Sequence, residues 1–175
     1  MNKRRISQTF FNKTTLSIAH SLLGCYLVRK VGRKVQRAKI IETEAYVGLK
    51  DKASHASRGL TRRTEVMFGL PARAYVYLIY GMYYCFNIVT AKQGYPAAVL
   101  IRGVILNNKL INGPGKVCRE LKINKKINNE NLLLSKKIYL ERGNKVPGVK
   151  IKSAPRIGVD YAGKWKYKKW RFFVK

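Results

Sequence analysis

The sequence predicts a single α+β domain in which a mainly antiparallel sheet, built from hairpins, carries flanking helices. With 175 residues, 46% of them apolar, the chain has the length of one domain and can bury a substantial core. Short apolar or alternating segments separated by glycine turns are typical of hairpins. No internal repeat or linker divides residues 1–175, and residues 1–9 are expected to form a flexible basic tail.

The first predicted elements are a helix and a hairpin. Apolar residues recur at helical spacing over Leu16–Leu23, between a threonine that can serve as N-cap and a glycine that ends the helix. The strands Tyr26–Val31 and Val35–Val47 are predicted next, joined by a tight turn. Residues 48–72 are polar and contain glycine and proline, which indicates a long loop with one helical turn near Thr64–Phe68.

A second hairpin, a buried strand, a helix and two late strands are predicted for the rest of the chain. The second hairpin has its tip at Tyr80–Met82, and the helix follows a Gly-Pro-Gly sequence. In chain order these elements are Tyr75–Ile79, Tyr83–Thr90, Ala97–Leu106, Lys116–Leu121, Ile138–Glu141 and Arg171–Val174.

The charge of the chain is extreme. There are 37 Lys and Arg against 8 Asp and Glu, a net charge of +29. A field of this sign attracts polyanions, so nucleic acid is the leading partner class and an anionic membrane surface the second. A lysine-rich proteome would supply part of the excess.

The cysteines and histidines predict no metal and no cofactor. Cys25, Cys85 and Cys118 are far apart and form no CxxC pair, so they indicate neither a zinc site nor a disulfide framework. His20 and His55 are the only histidines. A reducing compartment is the default, and the N-terminus lacks the continuous apolar core of a secretory signal.

The run Ala74–Ala91 contains no charged residue and holds five of the eleven tyrosines. Its length alone would allow a membrane helix. We reject that interpretation because five Tyr, an Asn, a Thr and a Gly make the run too polar for a spanning helix. Aromatic and β-branched residues on both sides of a glycine favour a hairpin.

Three polar side chains share one face of the predicted strand Val35–Val47. Residues alternate along a strand, so Glu42, Glu44 and Tyr46 point the same way. Either both carboxylates are solvated or paired with arginines, or one of them is a general base in a pocket with Tyr46 as its wall. The spacing leaves both interpretations open.

Three other polar residues carry similar alternatives. Arg102 interrupts an apolar strand, so it either reaches water at a strand end or is held by a carboxylate or anion. Asn87 is either a structural hydrogen-bonding residue or a reader of polar edges. His55 lies in a polar loop, where a lone histidine is more often solvated than functional.

Two segments are compatible with DNA contact. The GPGKV sequence is no nucleotide-triphosphate loop, yet Gly115 and Lys116 at a helix start can hold a DNA phosphate. Tyr75 and Tyr77 share a strand face and could stack on a planar ligand, whereas Tyr80 protrudes at a hairpin tip and could wedge between bases. The competing interpretation is that these aromatics build the core.

Taken together, these stretches resemble the alkyladenine DNA glycosylase family, the 3-methyladenine glycosylases of the non-helix-hairpin-helix type. The similarity covers nearly the whole chain, in family order. The matching stretches are IIETEAYVG, ASHAS, TRRTEVMFG, AYVYLIYGMYYCFNIV, AAVLIRG, GPGKVCREL and PRIGVDYAGKW followed by WRFFV.

The resemblance implies a catalytic group. Glu44 matches the general base that activates a water, and Arg102 and the backbone carbonyl of Ile157 match the groups that help to hold this water. Glu42 matches no catalytic role. The residues expected to contact the DNA backbone are Arg63, Gly115 and Lys116.

The resemblance also implies a base pocket. Tyr46, His55 and Tyr77 match the walls that sandwich a flipped-out base. Asn87 matches the residue that disfavours guanine, and Tyr80 matches the wedge that fills the gap left in the duplex.

The expected function is that of a monofunctional glycosylase, which leaves an abasic site without strand cleavage. Its partner would be double-stranded DNA containing alkylated purines, with no metal and no membrane, and the chain would act as a monomer. It would work at the nucleoid of a bacterium or in a eukaryotic nucleus. The alternatives are a non-catalytic nucleic-acid-binding module, whose tyrosines only stack on bases, and a peripheral membrane protein.

Overall fold

The computed structural model describes residues 4–175, which form one antiparallel sheet of nine strands with two short α-helices and several 3-10 turns. The strands are β1 (Tyr26–Val31), β2 (Lys34–Val47), β3 (Ala74–Ile79), β4 (Tyr83–Val89), β5 (Ala97–Leu106), β6 (Lys109–Asn112), β7 (Ile138–Glu141), β8 (Ile151–Ala154) and β9 (Arg171–Val174). The helices are α1 (Thr15–Ser21) and α2 (Pro114–Glu120). The predicted α+β class is confirmed.

The long strand β2 organises the sheet. The main strand order is β3-β4-β5-β2-β1-β7, with β6 beside β5 and β8 beside β9. One edge of β2 pairs first with β1 and then, over Glu42–Glu44, with β9. Its other edge pairs with β5 from Lys39 to Val47. The C-terminal strand therefore meets β2 at the segment that carries both glutamates.

Two register shifts between β2 and β5 change which side chains point to each face of the sheet. Ile41 of β2 and Arg102 of β5 fall at these shifts and have no residue directly opposite them. Such a bulge turns the following side chains to the other face. Ile40 and Ala45 therefore both join the main core, while Glu44 points into the opposite face.

The main core lies on the face covered by α1. Thr43 turns toward this helix, and its hydroxyl donates to the carbonyl of Ala19 at 2.9 Å. The helix begins as predicted, because the hydroxyl of Thr14 accepts the N–H of Ser17 at 3.3 Å. The largest fully buried side chains include Phe86, Ile18, Leu22, Ile40, Ile101 and Leu140.

Most predicted elements are confirmed, including the hairpin of the charge-free run, which forms β3 and β4. Within residues 4–175, the structure contains no helix that is long and apolar enough to cross a bilayer. Strands β6 and β8 were not predicted. The signal for β6 is its turn: Asn107 and Asn108 both have positive φ, 50° and 62°, a conformation that asparagine tolerates in two-residue hairpins.

The predicted tail 1–9 packs on the domain where it is described. Arg5 forms a β-bridge with Glu141, and the N–H of Ile6 donates to the carbonyl of Leu140 at 3.0 Å. Ile6 is buried in the main core, because an apolar side chain next to the edge strand β7 can leave water there. Residues 1–3 lie outside the described part of the chain.

Replacing Gly143 with alanine should destabilise the fold. A Cβ there would overlap the carbonyl oxygen of Gly24, which cannot move freely because the N–H of Gly24 donates to Ile40 at 2.8 Å. We expect a loss of about 2–3 kcal/mol in the free energy of unfolding, measured by urea denaturation. The control is Gly148→Ala, which meets no heavy atom within 4 Å and should stay within about 1 kcal/mol of the wild type. Equal losses in both variants would contradict this account.

Candidate active site

The face of the sheet opposite α1 forms a cavity of about 890 Å³. Alternating side chains of four strands line it, and the loops 52–67 and 113–119 and the segment 157–161 complete it. The strand residues are Glu44 and Tyr46 of β2, Tyr75, Tyr77 and Ile79 of β3, Tyr83, Cys85 and Asn87 of β4, and Ala98, Leu100 and Arg102 of β5. The residues predicted to share a site from distant parts of the sequence therefore lie in one cavity.

Glu44 is fully buried at this cavity, with a partner on each carboxylate oxygen. Its Oε1 accepts the N–H of Ile157 at 3.0 Å, and its Oε2 accepts the hydroxyl of Tyr46 at 2.8 Å. Burial raises the pKa of Glu44 above its ordinary value, and the nearby guanidinium of Arg102 only partly opposes this rise. Loss of hydration therefore outweighs the effect of the positive charge beside Glu44.

Arg102 lies beside two carboxylates. Of its two predicted environments, water at a strand end or a carboxylate, the structure shows the second. Its Nε lies 3.4 Å from Oε1 of Glu42 and 3.7 Å from Oε1 of Glu44. This Nε is buried and makes no hydrogen bond of good geometry to any described group. Glu42 also accepts from Nη1 of Arg171 at 2.9 Å. Glu42 is thus a structural ion-pair partner that links β2, β5 and β9.

Ile157 contacts the buried glutamate through its backbone amide, a contact that the sequence did not predict. The N–H of Ile157 is the donor to Glu44, while its side chain is 48% exposed at the cavity. The interaction favours the ionised carboxylate and lowers the pKa of Glu44 against the effect of burial. The role of the carbonyl of Ile157 toward a water stays a prediction.

His55, Tyr75 and Tyr77 form one aromatic wall. The rings of His55 and Tyr77 meet edge to face with centroids 4.4 Å apart, and Nδ1 of His55 lies 3.0 Å from the hydroxyl of Tyr75. Burial, together with Arg63 and Arg58, lowers the pKa of His55 to about 4. The imidazole is therefore neutral at pH 7.

Tyr75 and Asn87 support this wall from behind. Tyr75 shares a strand face with Tyr77, as predicted, but only 2% of it is exposed, so it packs in a small core and holds His55. The side-chain N–H₂ of Asn87 donates to the carbonyl of Tyr75 at 3.1 Å. Asn87 thus has the structural hydrogen bond that one interpretation required, and its effect on guanine stays a prediction.

Tyr80 projects from the hairpin tip with 80% of its surface exposed. Tyr80 and Gly81 have positive φ of 51° and 70°, and the N–H of Met82 donates to the carbonyl of Ile79 at 3.2 Å, closing the turn. Arg63 braces the hairpin, because its Nη2 donates to the carbonyl of Leu78 at 3.1 Å. The tip therefore holds a large aromatic ring in solvent at the edge of the cavity.

The start of α2 forms part of the cavity rim. A Cβ on Gly115 would lie 3.1 Å from the ring and the Cβ of Tyr83, so glycine allows α2 to pack against β4. Lys116 is exposed and lines the cavity. A DNA phosphate contact by Gly115, Lys116 or Arg63 stays a prediction.

The buried pair of Asp51 and Arg156 was not predicted. Nη1 and Nη2 of Arg156 donate to the two oxygens of Asp51 at 2.6 and 2.8 Å, and both side chains have no exposed surface. The guanidinium also lies 4.8 Å from the ring centroid of Tyr46 and 5.1 Å from that of Trp170. The only sequence signal was an aspartate among eight acids and an arginine one residue before Ile157.

The family is settled by comparison with known proteins. A family model described as methylpurine-DNA glycosylase matches residues 9–175. The chain belongs to this family. Its DNA glycosylase class, a class of DNA repair enzymes, follows from this membership, and the family predicted from the sequence motifs is confirmed.

Three relatives of this glycosylase carry the provisional name 3-methyladenine DNA glycosylase. The Methanocella arvoryzae protein is 44% identical over 186 residues, which cover 97% of this chain and 92% of the relative. The Legionella pneumophila strain Corby protein is 44% identical over 175 residues, with 98% and 95% covered. The Myxococcus xanthus protein is 42% identical over 175 residues, with 97% and 90% covered.

Asp51→Asn should destabilise the glycosylase strongly. Asparagine keeps the shape of the side chain but leaves the buried guanidinium of Arg156 without a countercharge, which costs about 3–5 kcal/mol. Chemical denaturation measures this loss. Glu120→Gln is the control, because it breaks an exposed 3.5 Å pair with Arg119 that should contribute at most about 1 kcal/mol. A loss below about 1 kcal/mol for Asp51→Asn would show that the pair contributes little.

Proposed function

We propose that this glycosylase removes 3-methyladenine and related alkylated purines from double-stranded DNA by hydrolysis and leaves an abasic site. The observation that carries the proposal is the buried carboxylate of Glu44 in a cavity with aromatic walls and a cationic rim. Among the described residues that line the cavity, Glu44 is the one carboxylate. The names of the relatives support the choice of substrate.

The walls of the cavity suit a flat cation. An alkylated purine such as 3-methyladenine carries positive charge, and the faces of electron-rich rings attract cations. Tyr46 and Tyr77 are neutral at pH 7, and burial raises the pKa of each hydroxyl further above its ordinary value. Neutral His55 adds a polar aromatic edge without repelling the ligand. Positive charge also weakens the glycosidic bond, so the pocket has less chemistry to perform on this substrate than on a normal purine.

Glu44 is the proposed general base. In its ionised form it takes a proton from water, the oxygen of that water bonds to C1′ of the deoxyribose, and the glycosidic electron pair leaves with the purine. Arg102 lies close enough to Glu44 to orient the same water. The lysines that line the cavity, Lys52 and Lys116, are exposed on its rim. Water is therefore the proposed nucleophile, and no lyase step follows.

The surface around the cavity supports DNA binding. Five exposed cationic side chains line the rim, which can hold phosphates on either side of a flipped nucleotide. They are Lys52, Arg58, Arg63, Lys116 and Arg119. Flipping costs a few kcal/mol of stacking and pairing, and the ring of Tyr80 would fill the space that the flipped base leaves. One cavity with its own wedge suffices, so the proposed active unit is the monomer.

The first test is release of 3-methyladenine from methylated duplex DNA by the wild type and by Glu44→Gln. We expect the variant to lose at least about 10²–10⁴-fold in single-turnover rate while it still binds methylated duplex. The amide oxygen of glutamine can accept the N–H of Ile157, and its N–H₂ can donate to the hydroxyl of Tyr46, so the fold should survive. Unchanged turnover would remove Glu44 from the mechanism.

Glu42→Gln is the matched control for this test. Its side chain lies on the same face of β2 but contacts Arg102 and Arg171, so excision should fall by no more than about tenfold. If the wild type releases no base and binds undamaged single strands equally well, the chain is a stacking module for nucleic acid and the proposal fails.

The decrease of kcat/KM at low pH should reflect the pKa of Glu44. The pKa is raised above the ordinary value of 4.5, so kcat/KM should fall with decreasing pH at a midpoint above 4.5. In Arg102→Met the midpoint should move further up, because the charge that lowers this pKa is gone. The measurement is the excision rate from pH 4.5 to 8 for both proteins. A midpoint that does not move in Arg102→Met would contradict this assignment.

A further inference from the structure

A second exposed tyrosine lines the same cavity and has no part in the proposed reaction. Tyr161 belongs to the 3-10 segment Asp160–Tyr167 and is 70% exposed. Tyr161 comes four residues after Ile157, the residue whose amide donates to Glu44. A large aromatic ring in solvent gains nothing from burial in the free protein.

The outer end of the Tyr161 side chain is tethered. Its hydroxyl donates to the carbonyl of Ala53 at 3.3 Å, two residues before His55. Tethering limits the positions of the ring before any ligand binds, so less side-chain entropy is lost on binding. The segment after β2 and the C-terminal segment are thus joined at the cavity mouth by this tyrosine.

The surroundings of Tyr161 suit a nucleic-acid strand. Tyr80 and Tyr161 both line the cavity. The exposed cations Lys52 and Arg58 line it too. Two solvent-exposed rings among cations are the elements of a stacking site for a strand.

We propose that Tyr161 is a second aromatic contact for DNA, whose ring packs on the nucleotide next to the flipped one in the damaged strand. This inference rests on the proposed function. A base inside the cavity leaves its strand continuous, so the adjoining nucleotide must cross the rim. Tyr80 fills the gap inside the duplex, while Tyr161 holds the strand that leaves it.

Tyr167 provides a matched control. It lies in the same 3-10 segment and is 71% exposed, but it is not among the residues that line the cavity. Removal of either ring should therefore have the same small effect on stability. Only removal of the Tyr161 ring should weaken the binding of DNA.

The experiment is single-turnover release of 3-methyladenine from methylated duplex at increasing enzyme concentration. A stacked base contributes about 1–3 kcal/mol, so Tyr161→Ala should raise the half-saturating concentration about 5- to 150-fold, with the plateau rate within about twofold. Tyr167→Ala should match the wild type. Tyr161→Phe keeps the ring and loses only the bond to Ala53, so it should stay within about threefold of the wild type.

The outcomes distinguish a failure of the inference about Tyr161 from a failure of the proposed reaction. An unchanged half-saturating concentration in Tyr161→Ala, with active wild type, overturns this inference and leaves the proposed function intact. Equal losses in Tyr161→Ala and Tyr167→Ala, or in Tyr161→Ala and Tyr161→Phe, overturn it as well, because the ring would not be what contacts the strand. No release by the wild type overturns the proposed function instead.

Discussion

The ion pair of Asp51 and Arg156 is the interaction on which the cavity depends. Asp51 also accepts the N–H groups of Val47 and Ala53, each at 3.1 Å, and Arg156 donates to the carbonyl of Ala45 at 2.9 Å. The pair therefore fixes the end of β2, the loop that leads to His55 and the segment that presents Ile157. Two fully buried charges are costly unless both are paired and hydrogen-bonded, which gives this junction a single favourable arrangement.

The paired bulges at Ile41 and Arg102 let one sheet serve two purposes. Before the bulge, the side chains of β2 on one face fill the core beneath α1. Without the bulge, the regular alternation of the strand would place Glu44 in that core. The shift sends Glu44 to the cavity and lets Thr43 face the helix. Bulges occur often beside active sites because they re-aim a side chain without interrupting the sheet. Gly103, where a Cβ would lie 3.0 Å from Glu42, allows the two strands to approach at this point.

Charged side chains of this glycosylase differ in their partners according to whether they are exposed or buried. Most of the net charge of +29 is at the surface, where water screens it and a polyanion can approach. Inside, each buried charge of the site has a counterion: Glu42 and Glu44 meet Arg102, and Asp51 meets Arg156. Burial raises the pKa of Glu44 despite the three contacts that favour its ionised form. A raised pKa suits the proposed role of Glu44, because a general base works best when its pKa is near the operating pH.

The sequence by itself determined the α+β class, the family, most strand positions and several residues of the cavity. These depend on local patterns: alternation, turn glycines and the motifs ETEAY and YGMYYC. Only the tertiary structure decided that Ile157 faces Glu44 through its amide, that Tyr75 supports His55 from within a core, and that Arg156 pairs with Asp51. Those partners are 113, 20 and 105 residues apart. No local pattern specifies such a pairing, because it depends on where bulges and loops bring distant strands together.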